Sequence, residues 1–374
     1  MRRIFFWTHF VMGLAAGVFI LLMSVTGVLL TYERQIVASA QDSAVQAPAN
    51  AEPLSLNDLA GASAEAGGAP GNVLTIPRNR SGVVQLSKGR RDMVLLDPYT
   101  GEILPDAGAG AEAFFSRVER IHRWLAFTGG RSALGATLND AANLLFGLLL
   151  ISGTVLWWPK RWKWPLVKTQ VFFRRGLPNA KARHYNWHHV LAVWSFIPLM
   201  LIIVSGVVFS YSWANRLVYA AYGEAPGNRA QQQAPATNAE APVLAGMPAD
   251  LDTLVAQATE DFPAWRRVAI TLPAPEAADI TMSVDWGNGA QASKKRTVTV
   301  ARDGTGLVGA PVGDTSSPAS KARRFLRFVH TGEVYGLLGQ TIAGLASLAA
   351  VVLVYTGISL AIRRLVRMRR SGRA

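Results

Sequence analysis

Four apolar stretches punctuate the chain, at Phe10–Leu30, Ala141–Trp158, Val190–Tyr211 and Leu337–Ile362. A helix climbs about 1.5 Å per residue, so stretches of roughly 20 residues are long enough to cross a bilayer core of about 30 Å. With their flanks they define spans at 10–32, 138–158, 188–213 and 337–362, separated by segments 33–137, 159–187 and 214–336 and followed by 363–374. Pro198 falls inside the third span, where a membrane helix accommodates it with a kink. The two long segments have a shorter period. In the first, AQDSAVQAPANAEPLS reads as a linker and LSLNDLAGASAEAG as a helix. VLTIP, GVVQLS and DMVLLDPYTGEIL then read as short strands, with Asp97-Pro98 and Gly101 marking a hairpin turn. The second segment repeats that order: a linker GNRAQQQAPATNAEAP, a helix DLDTLVAQATEDF, and strands VAITL, ITMSVDW and KKRTVTVARDGTGLV. Each segment is expected to fold as a small α+β module.

Charge orients these elements. Residues 1–9, 159–189 and 363–374 hold 2, 8 and 6 basic residues and no Asp or Glu, whereas 31–140 and 212–336 hold 22 basic and 24 acidic residues. The positive-inside rule then places both termini and the 159–189 loop in the cytoplasm and the two long segments outside. Trp157, Trp158, Trp162 and Trp164 form an aromatic belt on the cytoplasmic face. The expected location is a bacterial inner membrane, crossed several times. A net charge of +14 suggests nucleic acid at first sight, but the basic residues hug the ends of spans, which points to membrane lipid and no nucleic acid. Ala38-Ser39-Ala40 resembles a signal-peptide cleavage site. The apolar run before it is about twice a usual h-region and is followed by the polar Tyr32-Glu33-Arg34-Gln35, so the first span is expected to stay uncleaved.

The chain also repeats itself. A shift of 179 residues lays His9 on His188, Thr26 on Ser205, Gly27 on Gly206 and Tyr32 on Tyr211. In the even spans Gly135 and Gly153 are 18 apart, as are Gly339 and Gly357, with His122 and His330 upstream. An insertion at Thr128–Ser132 absorbs the difference in histidine spacing. The glycines read as packing residues that let helices approach closely. The fold class is therefore a mainly α membrane protein. Its four transmembrane helices form two pairs related by a pseudo-twofold axis along the membrane normal, and it carries two small periplasmic α+β modules.

Cysteine is absent, which excludes disulfides, thiolate metal sites, iron–sulfur clusters and covalent haem attachment, and leaves redox or metal chemistry to six histidines or to carboxylates. His9, His184, His188 and His189 lie at the cytoplasmic face, His122 and His330 at the outer one. A twofold axis brings repeat-related residues face to face, so His9 with His188 and His122 with His330 are candidate ligand pairs for two non-covalent b-type haems. His184 and His188 share a helix face, a spacing that also suits zinc or copper. His189 points about 100° away from His188 and is an alternative ligand to it, as is His184. Arg117, Arg120, Arg123, Arg323, Arg324 and Arg327 flank the outer pair and are candidate partners for haem propionates.

The LSLNDL…VLLDPYTGEIL block resembles a PepSY module. The paired spans, with Thr26-Gly27 in the first and HTGE before the fourth, resemble the PepSY-associated transmembrane helix family, described as iron-regulated membrane proteins. The resemblance covers nearly the whole chain. In length and plan the chain is similar to inner-membrane ferric-siderophore reductases that carry two haems. That resemblance implies haem b, iron uptake, electron transfer toward the periplasm, and a ferric siderophore as substrate. Some relatives fuse a flavoprotein reductase domain to the spans. Neither such a domain nor a G-x-G-x-x-G dinucleotide fingerprint is expected in this chain, so a separate cytoplasmic or membrane electron donor is implied. The expected function is an oxidoreductase passing electrons from the His9–His188 side to the His122–His330 side. The alternatives are a non-enzymatic PepSY membrane protein that binds peptides or proteins as a sensor or regulator, and a transporter of iron or haem.

Overall fold

A computed structural model describes residues 1–89, 92–227 and 250–371; most of the linker expected at GNRAQQQAPATNAEAP lies outside them. The helices are α1 (Arg2–Leu30), α2 (Glu33–Asp42), α3 (Leu56–Glu65), α4 (Ala109–Trp124), α5 (Ala133–Trp157) and α6 (Trp164–Val171). They continue with α7 (Ala180–Ser210), α8 (Ser212–Ala220), α9 (Leu251–Thr259), α10 (Pro318–His330) and α11 (Gly336–Ser371). The strands are β1 (Val73–Pro77), β2 (Val84–Ser87), β3 (Met93–Leu96), β4 (Arg267–Thr271), β5 (Asp279–Asp285) and β6 (Lys295–Ala301). The chain divides into two compact units.

The first unit comprises Met1–Glu33, Phe114–Pro226 and Pro318–Ala374. Four of its helical stretches are long and apolar enough to cross a membrane: Arg2–Leu30, Ala133–Trp157, Ala180–Ser210 and Glu333–Arg370. They outrun the apolar stretches because the flanks carry Arg, Lys and Ala, which favour helix, and aromatic residues that sit at an interface without breaking it. The Ser132 and Asn179 side chains cap α5 and α7, accepting from Gly135 N at 3.0 Å and Ala182 N at 2.9 Å. His9 and His184 therefore sit within α1 and α7 rather than ahead of them, and His188 and His189 lie more than two turns into α7 rather than at its start. His122 and His330 end two separate helices, α4 and α10, where the sequence reading had no helix. α1 packs on α5 and α11, and α7 packs on the same two. Small residues let them close: Ala16 and Ala142 are buried in one contact, Ala346 and Ala350 in another, and Gly17 leaves room for Ile358.

The second unit comprises Arg34–Ala113 and Gly227–Ser317. Its strands match the sequence expectation, but they do not form two modules. They form one antiparallel six-stranded sheet in the order β3-β2-β1-β4-β5-β6. β1 pairs with β4 over five residue pairs, from Val73↔Thr271 to Pro77↔Arg267. Two separate three-stranded sheets would each expose an unpaired inner edge, and the β1–β4 ladder removes both. Alternate residues of the strands, such as Leu74, Ile270 and Met282, pack with Leu56, Leu59, Leu251 and Leu254 of α3 and α9. Since Leu254 is fully buried, Leu254→Ala is expected to destabilise this unit by about 2–5 kcal/mol, read as a lower denaturation midpoint. Gly304-Thr305-Gly306-Leu307-Val308-Gly309 spells the G-x-G-x-x-G pattern of dinucleotide sites, a match the sequence reading passed over. Here it turns the chain back along β6, through Val300↔Leu307 and Thr297↔Val312, and leads into no helix N-terminus that could hold a pyrophosphate.

Candidate cofactor site

All six histidines lie in the helical unit, and four of them meet in pairs. The ring centroids of His9 and His188 are 6.5 Å apart, and those of His122 and His330 are also 6.5 Å apart. His184 instead faces Tyr355, at 5.3 Å between centroids, while His189 lies against Tyr185 at 4.0 Å and stands 6.3 Å from His188. Among the described residues no group of three or more His, Asp or Glu is placed to hold a metal ion.

Each paired histidine turns its Nδ1 to a hydroxyl on a spanning helix. His9 meets Ser152 Oγ at 2.9 Å, His122 meets Thr26 Oγ1 at 2.8 Å, His188 meets Thr356 Oγ1 at 3.0 Å and His330 meets Ser205 Oγ at 3.0 Å. Those hydroxyls already donate to the carbonyl one turn back in their own helices, at Leu148, Leu22, Val352 and Leu201, over 2.6–2.8 Å. A hydroxyl has one proton, so its oxygen is left to accept. The imidazole then carries its proton on Nδ1, and Nε2 keeps its lone pair. That is the form in which imidazole ligates a metal.

Glycines next to these hydroxyls make the space. A methyl group at Gly153 would lie 3.4 Å from His9 Cε1, and one at Gly357 would lie 3.3 Å from His188 Cε1. Gly27 stands in the same relation to His122, at 3.7 Å. These glycines thus seat imidazole rings, where the sequence reading gave them only helix packing. The hydroxyls were missed, yet a signal was present: each span carries one Ser-Gly or Thr-Gly doublet, at Thr26-Gly27, Ser152-Gly153, Ser205-Gly206 and Thr356-Gly357.

A cavity of about 820 Å³ opens between His9 and His188, within the usual range for ligand pockets. Its walls are apolar, with Phe10, Phe146 and Phe196 among them, while Lys181, Arg363, Arg364 and Arg367 line it as cations. None of these cations was a candidate from sequence. Of the six outer arginines, Arg120 donates to Ser116 Oγ at 2.9 Å and Arg323 to Asn215 Oδ1 at 2.8 Å. Arg123 pairs with Glu119 at 2.7 Å, and Arg327 lies over Phe328. Arg117 lies on α4 and Arg324 on α10.

Burial, and then the neighbouring His330 imidazole, push His122 down to about 4 against the opposing pull of the Met23 carbonyl. Burial likewise lowers His330, with the Ile202 carbonyl opposing. Both are neutral at pH 7. Below pH 6.5 the unfolded chain takes up protons that folded His122 refuses until about pH 4. The ligand-free protein should therefore lose stability as pH falls from 6.5 toward 4. Thermal melts across that window should show a shallower pH dependence for His122→Gln.

A family model described as the PepSY-associated TM region matches residues 6–364. No curated protein matches the chain.

Proposed function

The chain belongs to the PepSY-associated transmembrane family, and from that premise we propose that it is a b-type dihaem electron-transfer protein of a bacterial inner membrane that reduces periplasmic ferric-siderophore iron. One observation carries the reading: two opposed histidine pairs whose Nδ1 atoms are all engaged by hydroxyls. A metal–imidazole bond of about 2.0 Å puts a ring centroid roughly 3.2 Å from the metal, so two imidazoles on opposite sides of one iron stand about 6.4 Å apart. Both pairs stand at 6.5 Å. His9 and His188 would hold one haem, and His122 and His330 the other. The cavity beside His9 offers an apolar chamber for a macrocycle, with Lys181, Arg363, Arg364 and Arg367 as partners for propionates. The buried Trp157 Nε1 has no hydrogen-bond partner and lines the same chamber, a further donor for a carboxylate.

Bound haem supplies a one-electron Fe³⁺/Fe²⁺ couple, and the protein supplies its position and surroundings. Seventeen residues of α1 separate His9 from Thr26, roughly 25 Å of helix at about 1.5 Å per residue. Two sites in series thus serve opposite faces of a membrane better than one. The basic residues of 1–9, 159–189 and 363–374, with no Asp or Glu among them, support a cytoplasmic side for the His9–His188 pair and a periplasmic side for His122–His330. The repeated contacts support a pseudo-twofold arrangement: Thr26 and Ser205 are 179 residues apart, and Ser152 and Thr356 are 204 apart. The sheet unit contains neither histidine nor cysteine, so it contributes binding surface to the reaction. A separate donor reduces the cytoplasmic side. A reduced-minus-oxidised absorption spectrum of the purified protein tests the cofactor, with a low-spin b-type signal at two haems per chain expected. A protein with no such spectrum would overturn the reading.

A further inference from the structure

We infer that Thr26, Ser152, Ser205 and Thr356 are positioning residues that lock the four paired histidines in the Nδ1–H form and set the redox poise of each site. The inference starts from directionality. At all four places the hydroxyl proton is committed to a backbone carbonyl, at Leu22, Leu148, Leu201 and Val352, so the hydroxyl oxygen has only acceptor capacity left for the ring. Four independent contacts with the same polarity, one from each span, are not a packing coincidence. Each pair receives one serine and one threonine: Ser152 and Thr356 for His9 and His188, Thr26 and Ser205 for His122 and His330.

The physical consequence follows from the bond. An acceptor on Nδ1–H pulls that proton outward, makes Nε2 a stronger donor to iron and favours the ferric state. Removing the acceptor frees the ring to turn and to change tautomer, weakens Nε2 and favours the ferrous state. Backbone carbonyls stand beside these rings as well, Ile202 at 2.9 Å from His330 Nδ1 and Met23 at His122, so the hydroxyls share the hold on each Nδ1 proton. His184 supplies a control. Its Nδ1 meets Ser359 Oγ at 2.9 Å, but its ring faces Tyr355 and no other histidine.

The redox half of the inference rests on the haem reading above, and the tautomer half does not. The experiment therefore has two arms on the full-length protein. In the first, selectively ¹⁵N-histidine-labelled protein without added haem is examined by NMR at neutral pH. The wild type should show the Nδ1–H form at the paired histidines, and Thr26→Val should convert one of them to a tautomer mixture while Thr26→Ser does not. In the second, potentiometric titration of haem-loaded protein follows both sites. Thr26→Val should raise the ferrous-to-ferric ratio of the outer haem several-fold at fixed ambient potential. It should also weaken haem retention there by about 10–100-fold, the usual loss when a ligand's outer partner is removed. Ser205→Ala should act on the same haem, Ser152→Ala and Thr356→Val on the other haem, and Ser359→Ala on neither. Should Thr26→Val fail to accumulate, Ser152→Ala carries both arms. Unchanged tautomers, or Thr26→Ser behaving like Thr26→Val, would overturn the inference. Absence of haem with the tautomer result intact would overturn the dihaem reading alone.

Discussion

His122→Ala and His330→Ala are each expected to remove the same haem, leaving one of two, while His9→Ala and His188→Ala remove the other. At 6.5 Å between the rings of each pair, the two imidazoles would serve one iron rather than two under the proposed reading. Loss of either would leave an open position on the iron; at the inner pair His189 also lines the cavity, with its ring 6.3 Å from His188. His189 is held by its own stack on Tyr185, with Nδ1 on the Tyr185 carbonyl at 2.9 Å, and His184 faces Tyr355. His184→Ala and His189→Ala should therefore keep both haems. Quantitative haem analysis with electron paramagnetic resonance distinguishes the sites. If His122→Ala and His330→Ala affected different haems, the pairing would be wrong even with haem still bound.

The second large effect concerns iron. Dithionite-reduced protein in detergent, freed of excess reductant, should be reoxidised by a ferric siderophore, with Fe²⁺ captured by a ferrous chelator. Lowering the charge on iron loosens its hard oxygen ligands, so reduction and release are coupled. With His330→Ala the outer site is lost and this reoxidation should fall at least tenfold, whereas Arg120→Ala or Arg324→Ala should raise the apparent KM for an anionic chelate more than they lower kcat. A free-haem control sets the background. Protein that stays reduced after anaerobic mixing with several ferric siderophores would remove the reductase assignment.

Much of this was legible beforehand, for physical reasons. Membrane spans need long apolar runs, and α1, α5, α7 and α11 lie where those runs do. The six strands follow from alternation, which is local. The single sheet does not, because the β1–β4 ladder joins residues nearly 200 positions apart and nothing in either strand names its partner. α4 and α10 were missed because Arg117, Arg120, Arg323 and Arg327 dominate their sequences. Their buried sides are thin, with Phe115 and Val118 in α4 and Ala319 in α10. The histidine pairing was foreseeable from the repeat, since symmetry turns a spacing into a juxtaposition. The hydroxyls were harder to see: Ser and Thr in membrane helices usually bond their own backbone, which these also do, and the second contact to a ring becomes visible only across helices.

The β1–β4 ladder also times the birth of the protein. Thr75 pairs with Ala269, and α5 and α7 are both made between them. At a synthesis rate of about 5–20 residues per second, the first half-sheet waits roughly 10–40 s for its partner, with the inner edge of β1 bare throughout. An unpaired edge on a strand as apolar as VLTIP is a template for pairing with another chain. With the orientation proposed above, a nascent chain of this design would call on periplasmic chaperones during that interval. Its yield should respond to translation speed across residues 114–266 more than to the stability of the finished molecule.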